Sequence, residues 1–319
     1  MTIDSNLMPE AGGLGAAGAE MTAAAVQATT RPFQWSVRRE LWEYRSIYIG
    51  PAAAAAVVLV GFLLGAINLP EAVRHFEDHQ GVDPANQLGM AAMAVMAATA
   101  MVVIVTGVIV GMFYCLGALH NERRDRSLLF WKSLPVSDLT AVAAKATIPL
   151  VVLPLVTLVV VAAMQLIMLA VSTVALLLNN IDPMTLWTRL PFAELAIALV
   201  WSAVVMPLWL APIYAWLLLV SAWAKRAPFL WAAFTPLAII VVEGIAFRTH
   251  HFATLIGDRL GGAFGAGFVH GGEGPGHKLR MPEVDVLGLF GNPGLWIGLA
   301  VAAAFLAGAV WMRRTREPS

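Results

Sequence analysis

Long stretches without any charged residue dominate the chain after residue 45. Five of them lack Asp, Glu, Lys and Arg altogether, and a sixth, Ala227 to Phe247, contains only Glu243. The five run from Ser46 to Pro70, Pro84 to Asn121, Ala146 to Ile181, Leu195 to Ala224 and Val286 to Met312. Each is at least as long as the ~20 apolar residues with which a helix crosses the ~30 Å hydrocarbon core of a bilayer. The pattern therefore predicts six transmembrane helices.

The apolar residues in these stretches are continuous, as from Val102 to Val110 and from Val156 to Val161. A transmembrane barrel would instead show segments of roughly ten residues in which apolar and polar positions alternate. Composition agrees with helices in a membrane, because 59% of the residues are hydrophobic and only 13% are charged, against roughly 25% charged in soluble domains. We expect an all-α integral membrane protein and exclude an ordinary soluble enzyme.

Basic residues are unequally divided between the two sides of this six-span plan. The side that carries both termini has 14 Lys and Arg, and the other side has 6. Because cytoplasmic loops are enriched in Lys and Arg, we expect both termini in the cytoplasm. The first 30 residues contain no Lys or Arg and no continuous apolar block, which is typical of a disordered tail and not of a signal peptide.

The predicted organisation has four parts. A disordered cytoplasmic tail, 1–30, precedes an amphipathic interfacial helix, 31–47, a six-helix transmembrane domain, 48–312, and a cytoplasmic tail, 313–319. The transmembrane domain includes a cytoplasmic loop, 121–138, and an outer loop, 248–285.

An amphipathic helix is predicted just before the first span. Phe33, Val37, Leu41, Tyr44 and Tyr48 follow one another at steps of four and three and so form one helical stripe, while most of the rest is charged. Such a helix can lie along the headgroup layer of the cytoplasmic leaflet. It either anchors the first span or contacts another subunit.

The cytoplasmic loop, Asn121 to Asp138, surrounds an apolar block with charges. Leu128, Leu129, Phe130 and Trp131 form the block, and a loop that only reverses the chain does not need such residues. Either a partner protein covers them, or the aromatic pair dips into the membrane interface. Pro135 ends this segment, and Ser137 with Asp138 can cap the helix of span three.

These residues resemble the permease subunits of type-two (ABC-2) ATP-binding-cassette exporters of bacteria. In that family a Glu-Arg stretch follows span two, then come a short apolar helix, a Leu-Pro-Val-Ser-like exit and a lysine at the base of span three. The corresponding positions here are Glu122 with Arg123, Leu128 to Trp131, Leu134 to Ser137, and Lys145. The entry helix and the six-span plan also match, so the resemblance covers nearly everything after Pro32.

The resemblance implies a mechanical role in the bacterial inner (plasma) membrane. Such permeases pair with a second copy or a paralogue, and two cytoplasmic ATPase subunits grip the loop and the entry helix. The implied coupling surface consists of Glu122, Arg123, Arg124, Arg126, Phe130, Trp131 and Leu134. The entry helix would contribute Arg38, Arg39, Trp42 and Glu43.

No nucleotide site of this chain's own is predicted. A phosphate-binding loop ends in Gly-Lys followed by Ser or Thr, whereas the nearest segment, Gly271 to Lys278, has His277 before the lysine and Leu279 after it. We therefore expect a transport subunit that is not an enzyme and binds no cofactor, with ATP and Mg²⁺ on the partner ATPase. Zero net charge argues against a nucleic-acid partner.

The outer loop is rich in glycine and holds His250, His251, His270 and His277. Clustered histidines raise the option of a metal site, but no cysteine accompanies them and their spacing is irregular, which favours a flexible loop. In the resembled family this place often holds short helices that close the exit. Because interior glycines destabilise helices by about 1 kcal/mol each, stable helices are doubtful here and a partly mobile gate is preferred.

Few polar features occur within the spans. Glu243 is the sole charged residue inside the six; it contacts solute, reaches the headgroups, or pairs with Arg248. Gln165 either belongs to the pathway or bonds to a neighbouring helix. Pro149 and Pro154 in span three, with Pro207 and Pro212 in span four, predict kinks, which either act as hinges or are static.

The function predicted on this basis is export of a hydrophobic or amphipathic solute, such as a lipid, a drug or a peptide, driven by a separate ATPase. One alternative is a carrier driven by an ion gradient, which would need ionisable residues at mid-membrane depth. A less favoured one is a membrane-embedded enzyme, which would need a cluster of catalytic groups at one depth.

Overall fold

The computed structural model describes residues 32–67, 71, 84–124, 137–188, 190–265, 268–269 and 283–315. Within those residues six helices are long and apolar enough to cross a membrane, which confirms the predicted all-α fold class. They are Ser46–Ala66, Met90–Glu122, Asp138–Leu178, Phe192–Trp223, Pro228–Ala246 and Pro293–Thr315, called spans one to six.

The remaining elements are short. The entry helix is Pro32–Glu43, the outer helix is His251–Gly262, and two further helices are Met184–Trp187 and Val286–Gly291. The strands β1 (Phe268–Val269) and β2 (Glu283–Val284) form an antiparallel pair in which Phe268 lies opposite Val284. The entry helix and the end of span six both reach Glu122, which defines the basal end of the bundle; the outer helix lies at the distal end.

Span four is the centre of the bundle. It packs against spans two, three and six, and its basal half is buried from Val205 to Ala222 on the side that faces them. Span five packs on the outside, and only Ala232 of its residues is buried. Residues on span five are therefore exposed to the surroundings of the bundle, as apolar residues can be in lipid.

Span two breaks near its basal end. Its long helix, Pro84–Ala118, stops before Leu119, and a short helix, His120–Arg124, follows. Ser221 Oγ of span four accepts hydrogen bonds from the backbone N–H groups of Leu119 and His120, at 3.0 and 2.9 Å. A buried N–H without an acceptor is strongly unfavourable, so this contact stabilises the break and aims Glu122 at the interior.

Span three also departs from a straight helix. It comprises Asp138–Thr147, a π-helical segment Ile148–Val152, and Leu153–Leu178. The predicted cap at its start is confirmed, because Ser137 Oγ accepts from the N–H of Thr140 at 3.1 Å. The π-helical segment contains Pro149 and ends two residues before Pro154, and both prolines lack the N–H that an α-helix needs.

Residues 251–262 of the outer loop form a helix despite their glycines, which corrects the expectation drawn from glycine density. Tertiary contacts explain the difference. At the start of the outer helix, the Glu243 carboxylate accepts hydrogen bonds from the N–H groups of His251 and Phe252 and from the Thr249 hydroxyl. An acceptor at free helix N–H groups stabilises the first turn.

Arg259 fastens the other end of the outer helix. Its guanidinium lies 4.5 Å from the ring centroid of Trp209 in span four and donates to the Trp209 and Gly294 carbonyls. Gly298 leaves the space for it, since a Cβ there would lie 2.5 Å from Arg259 Nη2. Ala263, directly after the helix, is buried in the main core. The outer helix is thus part of the bundle.

Removing the guanidinium should loosen the outer helix. We predict that Arg259→Met accelerates amide hydrogen exchange across residues 251–262 by about tenfold or more, since hydrogen bonds from a charged group contribute roughly 1.5–3 kcal/mol. Arg226→Met, at an exposed arginine, is the matched control and should exchange like the parent chain. Unchanged exchange in Arg259→Met would show that the helix does not depend on this contact.

Candidate functional site: a buried charge network at the basal end

The entry helix places a carboxylate inside the protein. Val37, Leu41 and Tyr44 pack against the main core, and Glu40 lies on the same side, three residues after Val37. Its side chain is only 4% exposed. Tyr48, predicted to continue the stripe, instead belongs to span one and is exposed, because the chain leaves the entry helix after Glu43 and resumes as a helix at Ser46.

Glu40 joins the entry helix to spans two and three. Lys145 Nζ of span three donates to Glu40 Oε1 at 2.7 Å. The Tyr114 hydroxyl of span two donates to Glu40 Oε2 at 2.8 Å. Both oxygens of the carboxylate therefore have a partner, which a buried carboxylate requires.

Glu122 is the second buried carboxylate. Its Oε1 lies 3.1 Å from Lys145 Nζ, and its Oε2 lies 2.9 Å from Arg313 Nη1 of span six. Arg39 of the entry helix approaches Oε1 at 3.8 Å. Glu122 thereby contacts three different elements besides its own.

Asp138 completes the arrangement at the start of span three, where its carboxylate accepts from Arg313 Nε at 2.9 Å. We call the set the basal charge network; it consists of Glu40, Tyr114, Glu122, Asp138, Lys145 and Arg313. Three carboxylates face Lys145 and Arg313, with Arg39 close to Glu122. The charges nearly compensate within a few ångströms, which is the condition under which ions remain buried.

Two tyrosines close the network toward the core. Tyr44 packs edge-on against Tyr114, with ring centroids 5.0 Å apart. Asn121 donates to the Tyr44 hydroxyl at 3.4 Å. Burial, together with the nearby carboxylates, raises the pKa of Tyr44 to about 12. The phenol is thus neutral at physiological pH and adds no further negative charge.

The predicted coupling residues fall into three groups. Glu122 points inward and binds this chain's own cations. Arg123 and Arg124 lie in the short helix that follows the break in span two. The others, Arg126, Phe130, Trp131 and Leu134, lie outside the described residues.

The predicted residues of the entry helix divide between its two sides. Arg38 lies over both Trp35 and Trp42, at 5.6 and 5.1 Å from their ring centroids. Trp42 itself is 72% exposed. Arg39 pairs with Glu43 at 3.1 Å while it approaches Glu122. One side of the helix is thus tied to the bundle and the other presents aromatic and basic groups outward.

The two polar residues predicted inside the spans lie elsewhere. Gln165 is half-buried in span three. Glu243 caps the outer helix, so the structure gives its carboxylate hydrogen-bond partners on Thr249, His251 and Phe252. Among the residues that the structure describes, no group of three His, Cys, Asp or Glu side chains could hold a metal ion. His270 and His277 lie outside those residues.

No family model, curated protein or solved structure matches the chain.

Sequence reasoning missed Glu40 and the pairing of Asp138 with Arg313. A signal for Glu40 was present, because it lies three residues after Val37 and four before Tyr44, on the apolar stripe itself. Arg313 carried no such signal. It lies beside Arg314 in the last turn of span six. Basic residues are common at cytoplasmic helix ends, so its position gives no sign of a buried partner.

Removal of the shared cation should destabilise the protein strongly. Lys145→Met would leave the Glu40 and Glu122 carboxylates buried without their common partner. We predict a loss of about 3–5 kcal/mol in the free energy of unfolding, the usual range for breaking a buried ion pair. The measurement is reversible denaturant unfolding in mixed micelles.

Two further variants make this test specific. Adding Glu40→Gln to Lys145→Met should recover part of the loss, because one of the two stranded charges is then gone. Lys225→Met, at an exposed lysine, should change the free energy of unfolding by no more than about 0.5 kcal/mol. If Lys145→Met unfolds like Lys225→Met, the network does not stabilise the fold.

Proposed function

We propose that this chain is the permease subunit of an ATP-driven exporter of the type-two ATP-binding-cassette class. It moves a hydrophobic or amphipathic solute outward across the bacterial inner membrane and takes its energy from a separate cytoplasmic ATPase. The observation that carries the proposal is the basal charge network, which ties the entry helix to spans two, three and six.

The network lies at both ends of the cytoplasmic loop through which an ATPase would act on the spans. Glu122 stands at the start of the loop between spans two and three, and Asp138 stands at its end. Both bind Arg313 of span six, at 2.9 Å in each case. A displacement of the loop would therefore move three spans together, and Glu40 would carry the entry helix along.

The outward side of the entry helix suits a protein partner. Trp35 and Trp42 are exposed, and Arg38 stacks over both rings. Trp and Arg are enriched among the residues that dominate binding energy at protein interfaces. Together with Phe130 and Trp131 of the loop, they are the surface that we assign to the ATPase, which in such an assembly is present in two copies beside a second permease.

The basal end is also the side rich in Lys and Arg, and the positive-inside rule assigns that side to the cytoplasm. ATP and Mg²⁺ are available there to a soluble ATPase subunit. Orientation and the position of the network both support a partner at the basal end.

A carrier driven by an ion gradient is the second candidate, since buried carboxylates can relay protons. Two features favour the coupling role instead. The carboxylates lie near helix ends at the basal end, with Asp138 in the first turn of span three. Each of them also binds a cation of this chain, Lys145 or Arg313, at 2.7 to 3.1 Å.

We predict that the chain, purified in mild detergent from its native membranes, carries a subunit that is labelled by photoreactive ATP and hydrolyses ATP. Phe130→Asp with Trp131→Asp should abolish this association, because two carboxylates would replace the aromatic pair that we assign to the interface. Trp35→Ala with Trp42→Ala should weaken it by tenfold or more, by about the amount expected for aromatic residues at interface centres.

Phe247→Asp is the matched control, since Phe247 is an exposed aromatic residue at the far end of span five. It should retain the ATPase. Solute movement by the purified chain alone in vesicles, at full rate without nucleotide and abolished by collapsing the proton gradient, would establish the ion-driven carrier and end the exporter proposal.

A further inference from the structure

A cavity lies in the interior between spans two, three and four. It is partly open to its surroundings and its volume is about 40 Å³, which admits one end of a larger molecule and not the whole. No charged side chain occurs among the described residues that line it, and most of its wall is apolar. The cavity is separate from the basal charge network, whose residues do not line it.

Local distortions and one close contact shape the wall of this space. The π-helical segment and Pro154 distort span three beside the cavity, and Pro207 interrupts the hydrogen bonding of span four on the opposite wall. Gly107 of span two lets Thr157 approach closely, since a Cβ on that glycine would lie 2.7 Å from Thr157 Oγ1.

Two buried hydroxyl groups line the cavity. Thr157 is 5% exposed and Tyr214 is 4% exposed. Among the residues that the structure describes, neither hydroxyl has a hydrogen-bond partner. Most buried polar groups in proteins are hydrogen-bonded, so two such groups at one cavity require an explanation.

The conformation of Thr157 is unusual for this chain. Thr99, Thr106, Thr147, Thr173 and Thr235 also lie in helices, and each donates to the carbonyl four residues earlier at 2.7 or 2.8 Å. Thr157 makes no such bond, so its hydroxyl is free for another partner. Thr140 and Thr254 also lack this common threonine bond, but their hydroxyls bond to Ser137 Oγ and to the His251 carbonyl instead.

Span four adds an acceptor to the same wall. Pro207 has no N–H to donate to the carbonyl of Ala203, and both residues line the cavity. The cavity therefore offers two hydroxyls, each able to donate and accept, and a carbonyl that lacks its usual helical donor.

We propose that this cavity binds the hydroxyl end of a neutral amphiphile, that is, a long-chain alcohol whose hydrocarbon chain extends out of it. A carboxylate or an amine would be buried here without an opposite charge, which is strongly unfavourable. An alkane would leave Thr157 and Tyr214 without partners. The identification of this alcohol as transported cargo rests on the proposed function; the binding itself does not.

The test uses the purified chain alone, in lipid nanodiscs and without any ATPase. A decanol that carries a photoreactive diazirine on its chain is cross-linked, and the labelled peptides are mapped by mass spectrometry. We expect labels around the cavity in spans two, three and four. Unlabelled decanol should displace them, whereas decane and decanoate at the same membrane concentration should not.

Variants of the two hydroxyls decide the assignment. Thr157→Val with Tyr214→Phe should lower the labelling about tenfold, since each lost hydrogen bond lowers affinity several-fold. Thr106→Val with Tyr48→Phe, which removes two hydroxyls away from the cavity, should leave it unchanged. Ala203→Leu fills the space without removing a hydroxyl, should also reduce labelling, and decides the matter if the paired variant does not fold.

Two results would overturn the proposal. Displacement by decane as effective as that by decanol would show an unspecific space for lipid chains. Labelling of Thr157→Val with Tyr214→Phe at the parent level would show that the hydroxyls are satisfied by water alone. Either result, with a co-purifying ATPase still present, leaves the exporter proposal standing; specific decanol binding without an ATPase leaves the site standing.

Discussion

Burial of charge at the end of an apolar bundle is the constraint on which the rest of this structure depends. Glu40, Glu122 and Lys145 are nearly inaccessible, with side-chain exposures of 4%, 6% and 3%. Ions can stay in such a place only if opposite charges lie within contact distance. Those partners come from four elements, so the entry helix and spans two, three and six must hold one particular arrangement at the basal end.

At the distal end, the charged side chains Arg259 and Glu243 bind neutral groups. Arg259 binds backbone carbonyls and the face of Trp209, and Glu243 binds backbone N–H groups and a hydroxyl. These contacts fasten the outer helix to spans four, five and six without a direct ion pair. The two ends thus differ in kind: compensated charges clamp the basal end, and single charges hold one helix at the distal end. Between them, prolines and a π-helical segment interrupt the regular α-helical hydrogen bonding of spans three and four.

The six spans could be predicted from sequence because hydropathy is a local property, and Ser137 could be predicted as a cap for the same reason. The network could not, since its partners are remote in sequence: Tyr114 lies 74 residues from Glu40, and Arg313 lies 191 residues from Glu122. The outer helix was underestimated because glycine propensity is a weak preference that Glu243 and Arg259 override. Thr157 gave no signal either, since its missing bond is visible only in three dimensions.

The most direct test of the central claim is the distance between the entry helix and span six. Cys115 is the chain's only cysteine, so a Cys115→Ala background permits spin labels at Trp42→Cys and Arg314→Cys, which are exposed positions. Pulsed electron resonance in nanodiscs should give a single narrow distance distribution, and Lys145→Met should broaden it. An equally narrow distribution with Lys145→Met would show that the entry helix is held by other contacts and would contradict the account.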